Sequence, residues 1–265
     1  MFRGAHNVGL NQSPKSGIST TNLIGNFDPA IGVEQTGEIV MQGWLNQVEN
    51  INLTHKNSIG GCHANVSPVC NDALKYFSFD GVDDFISGEV LNVYATSQTP
   101  FILSSVWTFA SWVKGLSSDF VHILMTENNK SFYLSLERIS GVNYLKCRYS
   151  LDTSPVTNTL TIPSSIDITK WNQITITQSS NIARFFINGT YVGNLNCGFS
   201  SFTSYLLIGK YTYNSGNVTG YTNSGVKLGY VLIYNVEISN STDRQNFNAV
   251  HGPTSSRRFG ATYDA

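Results

Sequence analysis

The chain has 265 residues, of which 41% are apolar and 12% aromatic, while Asp, Glu, Lys and Arg together make up only 12%, about half the usual charged share. Lys and Arg number 16 against 17 Asp and Glu, a net charge of −1. That balance excludes the basic footprint a nucleic-acid backbone requires, and the apolar content excludes disorder. Solubility falls to Asn, Ser and Thr, and the composition points to an all-β protein.

In chain order, residues 1–21 are rich in Gly, Ser, Asn and Thr and poor in apolar groups, which reads as an N-terminal arm and not a core element. The opening Met1–Gly9 lacks the apolar run of a secretory signal. The expectation is a protein assembled inside the cell that makes it, or one that leaves by another route. Residues 22–250 show no linker and no internal repeat, and read as one domain. Within it, Cys62 and Cys70 bracket a loop holding His63, with His55 seven residues before Cys62. The spacing matches no common zinc knuckle. Plain loop residues are the favoured reading, ahead of a loop disulfide and a metal site. Asp80, Asp83 and Asp84 are the one tight acidic cluster. Carboxylates of this kind suit calcium, but Asp80-Gly81 also suits a turn, and neighbours on a strand face opposite ways. The turn reading leads, and no other cofactor is expected.

Phe101 to Val113 is the most apolar stretch, but serines and a threonine interrupt it, well short of the ~18 residues of a membrane helix. Trp107–Lys114 carries apolar groups on both faces and reads as a central strand. His122, between Val121 and Ile123, reads as a satisfied strand residue. Glu137 and Glu237 are isolated acids on strand-like segments, expected to face solvent. Cys147 and Cys197 read as small buried hydrophobes. Ile174-Thr-Ile-Thr177 puts isoleucines on one face and threonines on the other. Asn188-Gly189, between β-rich runs, supplies the two positive-φ positions of a type I′ hairpin turn. Val226 to Val236 places Val, Leu, Tyr, Leu, Tyr and Val at even positions, a long strand with one face packed. One helix is predicted, Asn240 to Ala249, with Ser239 as its N-cap. Residues 251–265 read as a C-terminal tail. The sum is an antiparallel two-sheet jelly-roll sandwich with one short C-terminal helix and extended terminal arms.

Several phrases resemble the laminin-G-like, concanavalin A-like lectin/glucanase superfamily. They are Phe79-Asp-Gly-Val-Asp-Asp-Phe85, Trp107–Lys114, Lys170-Trp-Asn172 with the isoleucine strand after it, Phe186-Ile-Asn-Gly189, Leu207-Ile-Gly209, Gly229–Asn235 and Asn246-Phe-Asn-Ala249. The lead-in Asn22–Pro29 followed by Trp44, and the tail Arg257-Arg-Phe-Gly260, are similar to versions from marine tailed-phage structural proteins. The helix departs from the pattern, since Thr242 and Asp243 stand where the family tends to have Glu and Ile. Losing that Glu removes half of a capping box.

The fold carries enzymes and binders alike, so chemistry must be argued from residues. Glycoside hydrolysis needs two carboxyl groups flanking the bond, and no strand shows acids spaced as Glu-x-Asp-x-Glu. Polysaccharide lyases of this architecture use a Tyr with a His and an Arg. Gly209-Lys-Tyr-Thr-Tyr213 resembles one of their phrases, but the companion phrases are missing and the 5 histidines are scattered. No Gly-x-Ser-x-Gly elbow is present. A non-enzymatic role is expected, with no catalytic residue.

Residues 211–225 mix Tyr, Asn, Ser and Gly as binding loops do, and Tyr211, Tyr213, Asn214, Asn217, Tyr221 and Asn223 are the candidate glycan- or protein-contact residues. The sequons, Asn188 and Asn240 among them, are discounted as glycosylation sites in a chain so rich in Asn, Ser and Thr. An N-terminal arm of this composition orders by lying on another subunit, and Arg257, Arg258 and Phe259 are candidate assembly contacts. The resemblance and the arms together imply a virion structural protein of a tailed phage, foremost a capsid decoration protein. It would be assembled in the host cytoplasm and carried on the virion surface, as a homo-oligomer against major capsid or tail proteins, with neither nucleic acid nor membrane as partner. The alternative is an extracellular adhesin, a tail or fibre component that binds a cell-surface glycan. A polysaccharide-degrading enzyme ranks last.

Overall fold

The computed structural model describes residues 17–28, 33–36, 40–44, 69–71, 76–79, 86–87, 101–103, 105–114, 120–127, 132–150, 155–196, 202–208, 210–213, 217–221 and 226–251. Their elements in order are β1 (Leu23–Phe27), β2 (Val33–Thr36), β3 (Val40–Trp44), β4 (Val69–Asn71), β5 (Tyr76–Ser78), β6 (Ile86–Ser87), β7 (Phe101–Leu103), β8 (Trp107–Lys114), β9 (Phe120–Glu127) and β10 (Phe132–Ile139). Then come β11 (Val142–Ser150), β12 (Pro155–Thr161), β13 (Asn172–Ser179), β14 (Ile182–Ile187), β15 (Thr190–Asn196), β16 (Phe202–Ile208), β17 (Lys210–Tyr213), β18 (Asn217–Tyr221), β19 (Lys227–Tyr234) and α1 (Asn240–His251).

The strands form two large antiparallel sheets. One, here sheet A, has ten strands in the order β15-β14-β13-β8-β19-β5-β4-β3-β2, with β1 added beside β19. The other, sheet B, has seven in the order β12-β11-β10-β9-β16-β6, with β7 beside β16. β17 and β18 make a separate hairpin that lies next to β9. The expected antiparallel sandwich with one short helix is therefore the observed architecture.

Between the sheets lies the main core. Trp107, Phe109 and Val113 of β8 meet Ile174 and Ile176 of β13, Phe185 and Ile187 of β14, and Leu136, Leu145 and Cys147 of sheet B. Cys147 is a buried free thiol, as expected. At one margin the sandwich is closed by β12 against β15. Asn158 Nδ2 donates to the Asn196 carbonyl at 3.1 Å, and Leu160 lies over Gly193 so closely that a Cβ there would come within 2.6 Å of its Cδ1.

A second core covers the outer face of sheet A. Ala110 and Trp112 of β8 and Tyr230, Leu232 and Tyr234 of β19 pack with Phe247 and Val250 of α1, joined by Ile18, Leu23, Tyr76 and Ile238. This corrects the one-face reading of β19, whose residues 228–234 are buried on both faces. The even-position pattern also breaks. A bulge between Leu228 and Val231 shifts the alternation, as an extra residue in a strand must. Leu228, Val231 and Ile233 therefore enter the main core while Tyr230, Leu232 and Tyr234 face the helix. The threonine face of β13 is likewise covered: Thr175 is 2% exposed.

Residues 17–21 belong to the folded domain, although their composition reads as arm. Ile18 is buried in the second core. Ser19 N–H donates to Asn246 Oδ1 (3.0 Å), Asn246 Nδ2 donates to Tyr234 Oη (2.9 Å), and that hydroxyl donates to the Ser19 carbonyl (2.9 Å). The closed ring satisfies buried polar groups of strand, helix and lead-in together. Four residues earlier on β19, the Tyr230 hydroxyl donates to Asn26 Oδ1 of β1.

The local signals behave as physical chemistry requires. Asn188 and Gly189 have φ of 51° and 81°, the type I′ geometry that matches strand twist. Ser239 caps α1, its Oγ accepting from Thr242 N–H at 3.2 Å, and the helix runs to His251, two residues beyond the predicted end.

Candidate functional site: the outer face of sheet B

With β8 and β19 of sheet A covered by α1 and the lead-in, the outer side of sheet B is the broader face left to carry chemistry. Paired residues of an antiparallel ladder share a face, so the register places Ser135, Lys146 and Thr159 in one row and Glu137, Tyr144 and Thr161 in the next. Leu136, Leu145 and Cys147 alternate with them into the core. The period of two turns one set of strands into an apolar inner wall and a polar outer one.

Glu137 is the centre of this face. It was expected to be solvated, but it is 3% exposed. Ser135 Oγ donates to its Oε1 at 3.0 Å, and Lys146 Nζ lies 3.2 Å from its Oε2. An ion this buried persists only when paired and hydrogen-bonded, so the lysine on the adjacent strand explains why a lone acid is tolerated. The lysine side chain keeps 34% of its exposure. Toward β12 the face opens, where Thr157, Thr159 and Thr161 are exposed. On the other side β9 brings the backbone positions of His122 and Phe120 opposite Ser135 and Glu137. The β17–β18 hairpin also lies against β9.

That hairpin contains four of the sequence-nominated binding residues. Tyr213 pairs with Asn217, Tyr211 with Gly220, and Lys210 with Tyr221, across a register shift at Tyr211/Thr212. A hairpin stands where sequence offered a contact loop, and it gathers Tyr211, Tyr213, Asn217 and Tyr221 beside sheet B. Asn214 and Asn223 lie outside the described residues. So do Asp80, Asp83 and Asp84, the calcium candidates, the assembly candidates Arg257, Arg258 and Phe259, and Cys62, His63, His55 and Cys197. Among the described residues there is no group of three His, Cys, Asp or Glu able to hold a metal ion. Nor, among them, is any helix long and apolar enough to cross a membrane.

The other isolated acid, Glu237, lies on the opposite side of the molecule. Its Oε1 is 3.0 Å from Arg184 Nη1, and its Oε2 accepts from Ser179 Oγ at 2.7 Å. Asn188, read from sequence as a turn residue and discounted as a sequon, also accepts Gln173 N–H with its Oδ1 (2.8 Å), and its Nδ2 donates to Asn172 Oδ1 (2.8 Å).

These features define a lectin-like β-sandwich, with a closed apolar interior and one polar outer wall. Residues 90–241 match the family described as the concanavalin A-like lectin/glucanases superfamily. The chain belongs to that superfamily. No curated protein matches the sequence. Among solved structures, the chain is similar to Trypanosoma rangeli sialidase in complex with 2,3-difluorosialic acid, at 17% identity and a TM-score of 0.51, covering 89% of this chain and 34% of that one. It is similar to the binding domain of botulinum neurotoxin serotype D in complex with N-acetylneuraminic acid, at 12% identity and a TM-score of 0.51, over 86% and 50% of the two chains. A heptameric pentraxin from Limulus polyphemus covers 62% of this chain and 82% of its own, at 16% identity and a TM-score of 0.45. The chain thus spans about a third of the sialidase and half of the neurotoxin domain, and the likeness is one of fold.

Proposed function

We propose that the chain is a non-enzymatic virion structural protein of a tailed phage, a capsid decoration protein that displays a lectin-like jelly roll on the particle surface. The observation that carries the non-catalytic part is the state of Glu137. A glycosidase acid works opposite a second carboxyl group, whereas the oxygens of Glu137 are held by Ser135 and Lys146. Among residues with described side chains it is the one buried acid of sheet B. The particle role is supported by the resemblance of Asn22–Pro29 to phage relatives. That segment includes β1, which pairs with β19 through Leu23↔Tyr234 and Phe27↔Val231.

The test is mass spectrometry of gradient-purified particles, with heads and tails separated. Enrichment of the chain with heads is the expected result, and its absence from particles overturns the proposal. Deleting residues 1–16, and not 1–21, removes the arm without touching Ile18 or the Ser19 ring. Loss of particle attachment with unchanged melting supports an assembly arm.

A second reading, a glycan-binding adhesin of the tail or fibre, is favoured by the tyrosine-bearing hairpin next to β9 of sheet B. Tyr rings offer rigid amphipathic area to a sugar, and two of the three structural neighbours named above hold sialic acid or a derivative of it. Glycan-array binding that Tyr211→Ala or Tyr213→Ala abolishes would make this reading primary.

A further inference from the structure

On the far side of the molecule, the outer face of the β14–β15 hairpin holds an exposed tyrosine fixed in place by its neighbours. Tyr191 is 51% exposed. It sits directly opposite Phe186, whose ring centroid is 5.6 Å away at a tilt of 57°. Its hydroxyl accepts from Asn194 Nδ2 at 2.8 Å. Residues three apart normally fall on opposite faces of a strand. Here the register shifts at Phe185/Phe186, where Gly193 pairs with Phe185 and Tyr191 with Phe186, so Val192 is the added residue, next to Gly193 at φ 153°. The bulge turns Val192, Gly193 and Leu195 toward the core and leaves Tyr191 and Asn194 together outside. Bulges re-aim side chains in this way, often beside functional sites.

One row along the ladder, Asn194 pairs with Arg184 and Arg184 with Thr177. Arg184 Nη1 donates to Glu237 Oε1 and to Ser179 Oγ, each at 3.0 Å. The two charged side chains stay about one-third exposed, at 34% and 37%. The face therefore combines a flat ring with a wall of hydroxyl partners. Asn194 Oδ1 and the Glu237 carboxylate accept, and the guanidinium donates.

We infer that Tyr191, Asn194, Arg184 and Glu237 form a saccharide subsite in which a neutral pyranose stacks its C–H face on the Tyr191 ring while its hydroxyls bond the amide and the ion pair. The site is separate from sheet B and stands whether or not the chain resides on a particle. Two features decide the ligand class. Both ends of the ion pair suit hydroxyls, and Glu237 already compensates the Arg184 guanidinium, which is therefore not free to bind an acidic sugar, so neutral glycans are preferred over sialylated ones. A second copy pairing along β15 is disfavoured because the bulge interrupts the edge and β12 already closes that margin through Asn158 and Leu160.

The experiment is titration of the full chain with cellohexaose, mannohexaose, laminarihexaose and 3′-sialyllactose, read by saturation-transfer NMR and calorimetry. At least one neutral hexaose is expected to bind, and Tyr191→Ala to weaken it by about tenfold, the scale of a truncated aromatic anchor. Tyr191→Phe, which keeps the ring, is expected to stay within about threefold, while Tyr191→Leu, which keeps bulk without a flat face, behaves like Tyr191→Ala. Thermal melts of each variant verify folding. Failure of every neutral hexaose to bind the folded chain, or equal binding by Tyr191→Ala, overturns the site. Tighter binding of 3′-sialyllactose through Tyr191 overturns the assignment of ligand class.

Discussion

The carboxylate of Asp243 ties the helix to the sheet, and its removal is a quantitative test of the second core. The side chain is 4% exposed in the first turn of α1. Its Oδ1 accepts from Gln173 Nε2 at 3.0 Å and from Thr175 Oγ1 at 2.9 Å. Gln173 is fully buried and Thr175 nearly so. Asp243→Ala therefore strands two buried donors, each costing about 1–3 kcal/mol, and removes a favourable charge at a helix N-terminus worth roughly 0.3–1 kcal/mol. Partial relaxation leaves an expected loss of about 3 kcal/mol, which for a domain of this size is a fall in Tm of roughly 6–12 °C. Asp243→Asn keeps an acceptor oxygen and loses only charge, so about 1 kcal/mol is expected. Urea or thermal unfolding followed by far-UV circular dichroism measures both. Adding Thr175→Val to Asp243→Ala should recover part of the loss, because a buried hydroxyl no longer lacks its partner. Equal melting of the Asn and Ala variants, or no recovery in the double variant, would refute the claim that hydrogen bonding to this carboxylate holds the helix.

Three further outcomes follow from the same geometry. Lys146→Met leaves the Glu137 carboxylate buried with one partner and should cost about 2 kcal/mol by chemical denaturation, while Lys146→Met with Glu137→Gln should lie closer to wild type. Gly193→Ala places a Cβ 2.6 Å from Leu160 Cδ1 at a φ few L-residues adopt, and is expected to cost about 1–3 kcal/mol; adding Leu160→Ala removes the clash but leaves the backbone strain and opens a cavity, so no more than partial recovery in melting temperature is expected. Burial pushes the Tyr234 hydroxyl well above the ordinary tyrosine range. Since the unfolded chain ionises near pH 10 and the folded one does not, stability should fall by roughly 1.4 kcal/mol per pH unit above that point, and Tyr234→Phe should flatten the alkaline limb.

What was legible in the sequence was whatever is fixed within a few residues. The bounds of β8, the Asn188-Gly189 turn and the Ser239 cap all follow from local sterics and hydrogen bonding. Two similar turns passed unnoticed, Ser140-Gly141 and Ser180-Asn181, with φ of 50° and 83° and of 50° and 65°. Their sequence signals are weaker, since serine carries a positive φ only at a steric cost. The inward face of α1 was obscured because two of its buried positions, Asp243 and Asn246, are polar, which lowers the helical hydrophobic period. Burial of Glu137 was illegible for a different reason. Its partner Lys146 is nine residues away, and only the β10–β11 register brings the two together.

The same long-range logic determines which surfaces are free to act. A jelly roll whose helix lay elsewhere would offer two outer faces to a ligand. Here Trp112, Tyr230 and Tyr234 on sheet A are buried beneath Phe247, Val250 and Ile18, and the Ser19–Asn246–Tyr234 ring uses polar groups that would otherwise be exposed to solvent or unpaired. Among the described residues, the surface left open by α1 and the lead-in includes the outer side of sheet B toward β12 and the margin of sheet A where Tyr191 stands. On sheet B the acid that might have served chemistry is neutralised by Lys146, and what opens toward solvent is a threonine row on β12. Hydroxyls and a one-third-exposed lysine side chain offer acceptors and donors to a polar partner. On both described surfaces the charged groups are paired, Glu137 with Lys146 and Glu237 with Arg184, which holds them in place for contact.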